Sequence, residues 1–416
     1  MNILVISLYY PPDMGGASNR AGNAVAGLVK QGHHVKVIAG YPHYPLGNIS
    51  KKFRKKALIK ETRDGVDIFR VWVPPLPTRG MFKRGLIYLT FMFSSFFPFP
   101  WLGSIDGIFY VSPFSSTFII PGLFYRVSKK ARLILDCGDM WPNSAVDLGF
   151  IKSNGLIKLA KYTSYVSYRL ADGIAPINNA IKAGILTNYG IQNKKVHVIE
   201  LGINTEVFKP LPKDTILEEK EGLTGKFVVM YSGILGPAYD FGTIIKAAKL
   251  LEVFPEIAFV IRGDGELKRR ISQQIKLKRP NNIIMLPKVD NQIDVVRYLN
   301  LADVFVLPMQ NVKVSATAIP SKVYEFLSCG KPVICCAEGE LPNLLKTLSA
   351  GLTVGLSDSK GLAHAILNLY QDRQLTGKLG KNARDNILKN YSDVQIGIKL
   401  EECFSKQSNR EGPSAP

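Results

Sequence analysis

Short apolar runs without polar alternation, each followed by a segment of helical period, recur along this chain and constrain its fold more than any other feature. "NILVISLYY" leads into "ASNRAGNAVAGLVKQG", whose Ala21, Val25 and Leu28 share one helical face and which stops at Gly32, and "HVKVIAG" follows. That is a β-α-β unit. The rhythm continues through "GIFYVS", a helix near Thr117 to Ser128, "RLILDCGD", a helix near Gly155 to Ala171, "GIAPI" and "KVHVIELG". It restarts with "KFVVMYSG", "IAFVIRGDG", "NIIMLPKV", "DVFVLPM" and "KPVICCA", again with helical segments between. Strands that lack a polar face need cover on both sides, which predicts parallel sheets sandwiched by helices.

Two halves are therefore expected within the 416 residues: a Rossmann-like domain over 1–201 and a second over 216–390, joined by the Pro-rich polar segment 202–215. A helix over about 391–407 is expected to pack back on the first domain, and 408–416 reads as a disordered tail. The five cysteines form no C-x-x-C pair, which argues against a disulfide framework and for a reducing cytosol. "MNILVISLYYPP" has no basic leader region and does not read as a signal peptide.

Charge limits the partners. Lys and Arg number 53 against 33 Asp and Glu, a formal charge of +20 that suits anionic lipid, phosphorylated substrates or nucleic acid. The segment Gly85 to Ile105, "GLIYLTFMFSSFFPFPWLGSI", has seven aromatic residues and no charge. Pro98 and Pro100 leave roughly 13 residues of continuous helix, about 20 Å against a hydrocarbon core of about 30 Å. It is too short to span. Burial as a core hairpin is one reading; the other, favoured by Lys83, Arg84 and the six cations of "KKFRKKALIK" (Lys51 to Lys60), is an interfacial segment carrying Phe93, Phe96, Phe97 and Trp101 into an anionic membrane surface.

The chemistry-bearing residues lie at strand ends. Gly15 and Gly16 stand between the first strand and its helix, where free amides and the helix dipole favour an anion. No G-x-G-x-x-G is present and the second strand ends without an acid, so nicotinamide binding is disfavoured. Asp139 and Trp141, in "LDCGDMWP", lie just past the carboxyl end of the parallel strand "RLILDCGD". The carboxylate is a ligand-edge group or a helix cap, and the indole offers a flat face to a sugar. In the second half Gly233 closes one strand, and Arg262, Gly263 and Gly265 close the next, with Asp264 also placed to cap a helix beginning near Glu266. In "AIPSKVYEFLSCGKPVICC", Pro320, Ser321 and Lys322 open a short helix whose amides and ammonium suit a diphosphate, and Glu325, one turn in, suits two ribose hydroxyls.

Together "YYPPDMGGASNRAGNAVAGLVKQGHHVKVIAGYPHYPLG", "GDMWPNSAVDLG", "VHVIELGINTEVFKP", "YSGILG", "RGDGELK" and "IPSKVYEFLSCGKPVI" resemble the retaining glycosyltransferases of family 4, nearest the N-acetyl-L-fucosamine transferase-like subgroup. The resemblance implies an α/β GT-B fold, two Rossmann-like domains facing across a cleft. It implies a nucleotide-sugar donor, UDP-linked, with Gly233, Arg262, Pro320, Ser321 and Lys322 at the diphosphate, Val289 at the base and Glu325 at the ribose. Gly15, Gly16 and Asp139 would line the reacting face, with Trp141 on the acceptor side. Asp139, Lys322 and Glu325 are the catalytic candidates. No cofactor is implied: there is no D-x-D motif, and Lys322 with amide dipoles would replace a metal. The implied acceptor is a lipid-linked saccharide, and the implied location is the cytoplasmic face of the cell membrane.

This chain departs from the family in three places. Thr317 stands where the family carries a glutamate, "GILGPAYDFG" lacks the usual Arg and Lys, and no histidine accompanies "DCGDMWP". Two other readings use the same fold or ligand: a UDP-sugar 2-epimerase, which would form a new sugar nucleotide without acceptor, and a non-catalytic nucleotide-sugar scaffold. Nucleic-acid binding accounts for the charge but not for the strand-end motifs.

Overall fold

The computed structural model describes residues 1–405 apart from 14, 45, 46, 48, 54, 55, 78, 79, 112–118, 148 and 290. The chain divides into two compact units, Met1–Gly202 joined by residues from Asp393 onward, and Ile203–Ser392. The expected tail over 408–416 lies outside the described residues.

The first unit is built on β1 (Asn2–Ser7), β2 (His34–Gly40), β3 (Leu58–Arg63), β4 (Val66–Val71), β5 (Gly107–Val111), β6 (Arg132–Cys137) and β7 (Gly173–Pro176). They form one sheet in the order β3-β4-β2-β1-β5-β6-β7. All neighbours are parallel except β3 and β4. Ile3, Leu4, Val5 and Ile6 of β1 are wholly buried, as a strand covered on both faces must be. The antiparallel β3–β4 hairpin was not anticipated. Its turn, Asp64-Gly65, has positive φ at both residues (52° and 77°), the left-handed pair that hairpin turns favour. The end of the Lys51 to Lys60 basic run enters this hairpin, where Lys60 pairs with Asp67 at 2.9 Å.

"KVHVIELG", expected as a strand, is not one. Its amides at His197 and Ile199 donate to the carbonyls of Ile174 and Pro176, both at 2.9 Å, but the ladder reduces to an isolated bridge between Ile174 and Val196. Pro176 has no N–H to return a bond, so the edge cannot be extended.

The second unit carries β8 (Phe227–Ser232), β9 (Ile257–Arg262), β10 (Ile283–Leu286), β11 (Val304–Pro308), β12 (Val333–Cys336) and β13 (Gly351–Val354). The order is β10-β9-β8-β11-β12-β13, parallel throughout. β13, short and with only Val354 of its four residues buried, was also missed. All five cysteines are buried free thiols.

The helix Asp393–Ser405 belongs to the first unit, packed along the helix Gly16–Lys30. The two backbones touch: a Cβ on Gly27 would lie 2.0 Å from the carbonyl oxygen of Asp393, and one on Gly397 would lie 2.4 Å from that of Gly27. Only a glycine pair permits this crossing. Lys30 pairs with the buried Asp393 at 2.8 Å, fixing the start of the returning helix.

Candidate functional site

In the second unit, parallel strands bring three loops to one sheet edge. β8 ends at Ser232, and Gly233 turns with φ 135° while its amide donates to the Arg262 carbonyl at 3.0 Å, tying the ends of β8 and β9 together. A Cβ on Gly233 would meet Nζ of Lys322 at 2.4 Å, so the lysine reaches directly over this turn. Lys322 begins the seven-residue helix Lys322–Ser328, following Pro320 and the cap position Ser321, which makes no side-chain cap bond.

Aromatic rings box the ammonium. Nζ donates to the Tyr231 hydroxyl at 2.8 Å and lies 4.4 and 4.3 Å from the ring centres of Tyr231 and Tyr239. Burial drives the lysine down to about 7, with the Glu325 carboxylate opposing. Glu325 is in turn raised by burial, against the pull of Lys322 and Arg262. Burial thus works against the charged form of each group while the two attract each other, and an arriving anion would favour the charged lysine.

Arg262 is the most telling member. It is 4 % exposed, and Nη1 donates to Ser232 Oγ at 2.9 Å, with the guanidinium 4.8 Å from the Tyr298 ring. Nε and Nη2 are buried with no hydrogen-bond partner among the described residues. Burial lowers its affinity for the proton, opposed by Tyr298 and Glu325. A buried guanidinium with unused donors is costly unless a ligand completes it. Val289 lies in the loop three residues past Leu286, the register partner of Arg262, on the adjoining strand end. Asp264 does not cap a helix at Glu266: the helix is Lys268–Lys278, and Asp264 accepts from Gly265 N at 2.8 Å while its carbonyl accepts from Leu235 N. Its other carboxylate oxygen lies 3.7 Å from Nζ of Lys268, the first residue of that helix. Thr317 ends a 3-10 turn, Lys313–Thr317, its hydroxyl donating to the Val314 carbonyl.

In the first unit, Gly15 (φ 111°) caps the helix that Gly16 begins. Sequence reasoning read this segment for its glycines and missed its aromatics. Tyr9 and Tyr44 are 4.9 Å apart, a Cβ on Gly15 would lie 3.3 Å from the Tyr44 ring, and Tyr9 shares a hydrogen bond with Tyr88. Buried Asp13 fixes the loop by accepting from the amides of His43 and Tyr44, both at 2.8 Å. The repeated tyrosines of "SLYYPP" and "GYPHYP" were the available signal.

Asp139 follows β6 and accepts from Ser144 Oγ at 2.9 Å, so it braces the helix Asn143–Asp147 through a hydroxyl, not a backbone amide. Burial pushes its carboxyl up to about 6, Asp136 adding to the effect and Ser144 opposing it. Trp141 corrects the expectation of a flat sugar platform. It is 6 % exposed and packs with Ala145, Ile151 and Ala160 in a satellite core, which leaves no open face for a sugar.

The apolar segment divides by face. In the helix Met81–Ser94, Ile87, Tyr88, Phe91 and Met92 are buried and Phe93 is exposed, and beyond its end Phe97 and the Trp101 of the short turn Phe99–Trp101 are also half or more exposed. Phe96 is the exception to the interfacial set: half-buried, it meets the Phe124 ring edge-on at 4.9 Å. No helix among the described residues is long and apolar enough to cross a membrane. Among the described residues no group of three or more His, Cys, Asp and Glu is assembled to hold a metal ion.

Two α/β units, one on a mainly parallel sheet and one on a wholly parallel sheet, define the GT-B class, and solved structures of that class match across the whole chain. A sucrose-phosphate synthase from Thermosynechococcus elongatus aligns with a TM-score of 0.73 at 17% identity, covering 97% of this chain and 98% of its own. Anabaena Alr3699/HepE, in complex with UDP and glucose, aligns with a TM-score of 0.68 at 17% identity, covering 98% and 100%. Two family models divide the chain between them, Glycosyltransferase Family 4 over residues 14–207 and Glycosyl transferases group 1 over residues 213–386. The chain belongs to these glycosyltransferases, a class of hexosyl-transferring enzymes. WcaI of Escherichia coli, named for colanic acid biosynthesis, is 26% identical over 83% of this chain and 86% of its own. TuaH of Bacillus subtilis, named for teichuronic acid biosynthesis, is 28% identical over 49% of this chain, a match spanning only half of TuaH's length.

Proposed function

We propose that this protein moves a sugar, with retention of anomeric configuration, from a UDP-sugar, an N-acetylated amino sugar, to a lipid-linked saccharide in cell-surface polysaccharide assembly. The work takes place at the cytoplasmic face of an anionic membrane. The observation that carries the reading is Arg262, buried with two guanidinium nitrogens that have no partner among the described residues, at the turn over which Lys322 reaches. A diphosphate supplies the missing acceptors for both cations. UDP in the Alr3699/HepE complex and the polysaccharide names of WcaI and TuaH support donor and pathway class.

Mechanistically, negative charge grows on the diphosphate as the glycosidic bond breaks. Lys322 and Arg262, fixed by tyrosine rings and Ser232, stabilise that charge without reorganising. Glu325 accepts from the ribose hydroxyls, and Asp139 orients the acceptor.

Incubation with UDP-N-acetylglucosamine and other nucleotide sugars, with and without extracted lipid acceptors, tests the reading. Transfer to lipid is expected, with no new sugar nucleotide in the acceptor-free arm. Glu325→Ala should weaken UDP binding by roughly 1.5 to 3 kcal/mol, the worth of a charge-assisted hydrogen bond. Formation of an epimerised donor, or unchanged UDP affinity in a folded Glu325→Ala variant, would overturn it.

A further inference from the structure

Away from the glycine turns, the first unit contains a cleft of about 360 Å³ lined by Asn143, Lys161, Tyr162, Tyr165, Asn188 and Tyr189. It begins four residues past Asp139 and continues between the helices Asn154–Leu170 and Asn179–Tyr189. Two of its rings are fixed. The Tyr165 hydroxyl accepts from Arg169 at 2.8 and 3.0 Å, and the Tyr189 hydroxyl donates to the Trp141 carbonyl at 3.2 Å. The remaining polar groups are unspent: among the described residues, the side chains of Asn143, Asn188, Lys161 and Tyr162 make no hydrogen bond or ion pair, and Tyr162 is 65% exposed.

This combination selects a ligand class. Tyrosine rings present flat apolar faces to the C–H side of a pyranose, and carboxamides offer a donor and an acceptor together, as hydroxyl pairs require. The volume is within the range of small-ligand sites. A lipid bilayer is a poorer fit, since a flat headgroup layer cannot enter a concavity to pair two amides. Lys161, the one charged group of the lining among the described residues, favours a sugar with an acidic substituent.

We propose that this cleft is a saccharide-binding site, separate from the nucleotide site, that holds the acidic glycan portion of the acceptor. It rests on the reading that the enzyme extends a glycan. The glycan lies along the two helices while its reacting end reaches toward Asp139. Affinity for acceptors should therefore grow with chain length, without any change at the donor.

The full-length protein is tested on an array of acidic (uronic or pyruvylated) and neutral oligosaccharides, with UDP titration alongside. Wild type should bind acidic oligosaccharides of two or more units. Tyr162→Ala with Asn188→Ala should lower that binding tenfold or more while leaving UDP affinity unchanged. Lys161→Gln should lower affinity for acidic glycans but not neutral ones. Absence of oligosaccharide binding by wild type, or wild-type binding by the double variant, overturns the site. So does a double variant that loses attachment to anionic vesicles but keeps its glycans, which would mark the surface as lipid-facing. UDP titration reports separately on the donor reading, so failure of one is distinguishable from failure of the other.

Discussion

Nζ of Lys322 occupies the space that glycine leaves open at position 233, where an added Cβ would lie 2.4 Å away. The turn's φ of 135° is also one that side-chain-bearing residues rarely adopt. Gly233→Ala should therefore displace the ammonium and strain the turn together. The expected outcome is at least a tenfold loss of UDP affinity by calorimetry, on a protein whose far-ultraviolet circular dichroism is unchanged. Wild-type affinity would show that the ammonium does not act from this position.

Proton uptake should accompany donor binding. Lys322 loses its proton near pH 7 in the free protein because it is buried against Tyr231 and Tyr239, with Glu325 only partly compensating. A diphosphate favours the charged form, so affinity should fall by up to about tenfold per unit as pH rises above 7. Calorimetry in Tris and HEPES, whose ionisation enthalpies differ, measures the uptake directly. Lys322→Met should bind weakly and without it.

Asp139→Asn should abolish transfer, spare UDP binding and stabilise the fold at neutral pH. The carboxyl is raised to about 6 from an ordinary 3.8, so the folded protein holds the proton more tightly than the unfolded chain. The stabilising contribution of that proton is complete below 3.8 and is lost as pH rises through about 6. Above that, the charged form is a cost of roughly 1 to 3 kcal/mol that asparagine avoids while still accepting from Ser144. Thermal melts at pH 4 and 7.5 should show a gain only at the higher pH.

Membrane attachment should depend on Phe93, Phe97 and Trp101 but not on Phe96, whose ring packs against Phe124. Replacing the first three by Ser should release the protein from anionic vesicles in a pelleting assay, with UDP binding retained. High salt should release wild type only partly, because apolar insertion is not screened. Phe96→Ser should instead lower the melting temperature. Indifference of wild type to vesicles would leave the exposed aromatics without this role.

Local pattern was enough to establish the parallel centre of both sheets, though not their edges, because a strand buried on both faces is apolar nearly throughout, as β1 and β8 are. It also placed Gly233 at a strand end and Lys322 and Glu325 in the first turn of one helix. The hairpin at Asp64-Gly65 was equally legible, yet was obscured by the basic run before it. Other features depend on distant partners. Trp141 is buried because Ala145, Ile151 and Ala160 close over it, and "KVHVIELG" fails as a strand because its neighbour is Pro176. The tyrosine that holds Lys322 lies 91 residues away in sequence. Periodicity reports whether a residue faces a core, but the identity of its partner, and whether a buried donor such as Arg262 Nη2 is left unmatched, is set only when separate strands are brought edge to edge.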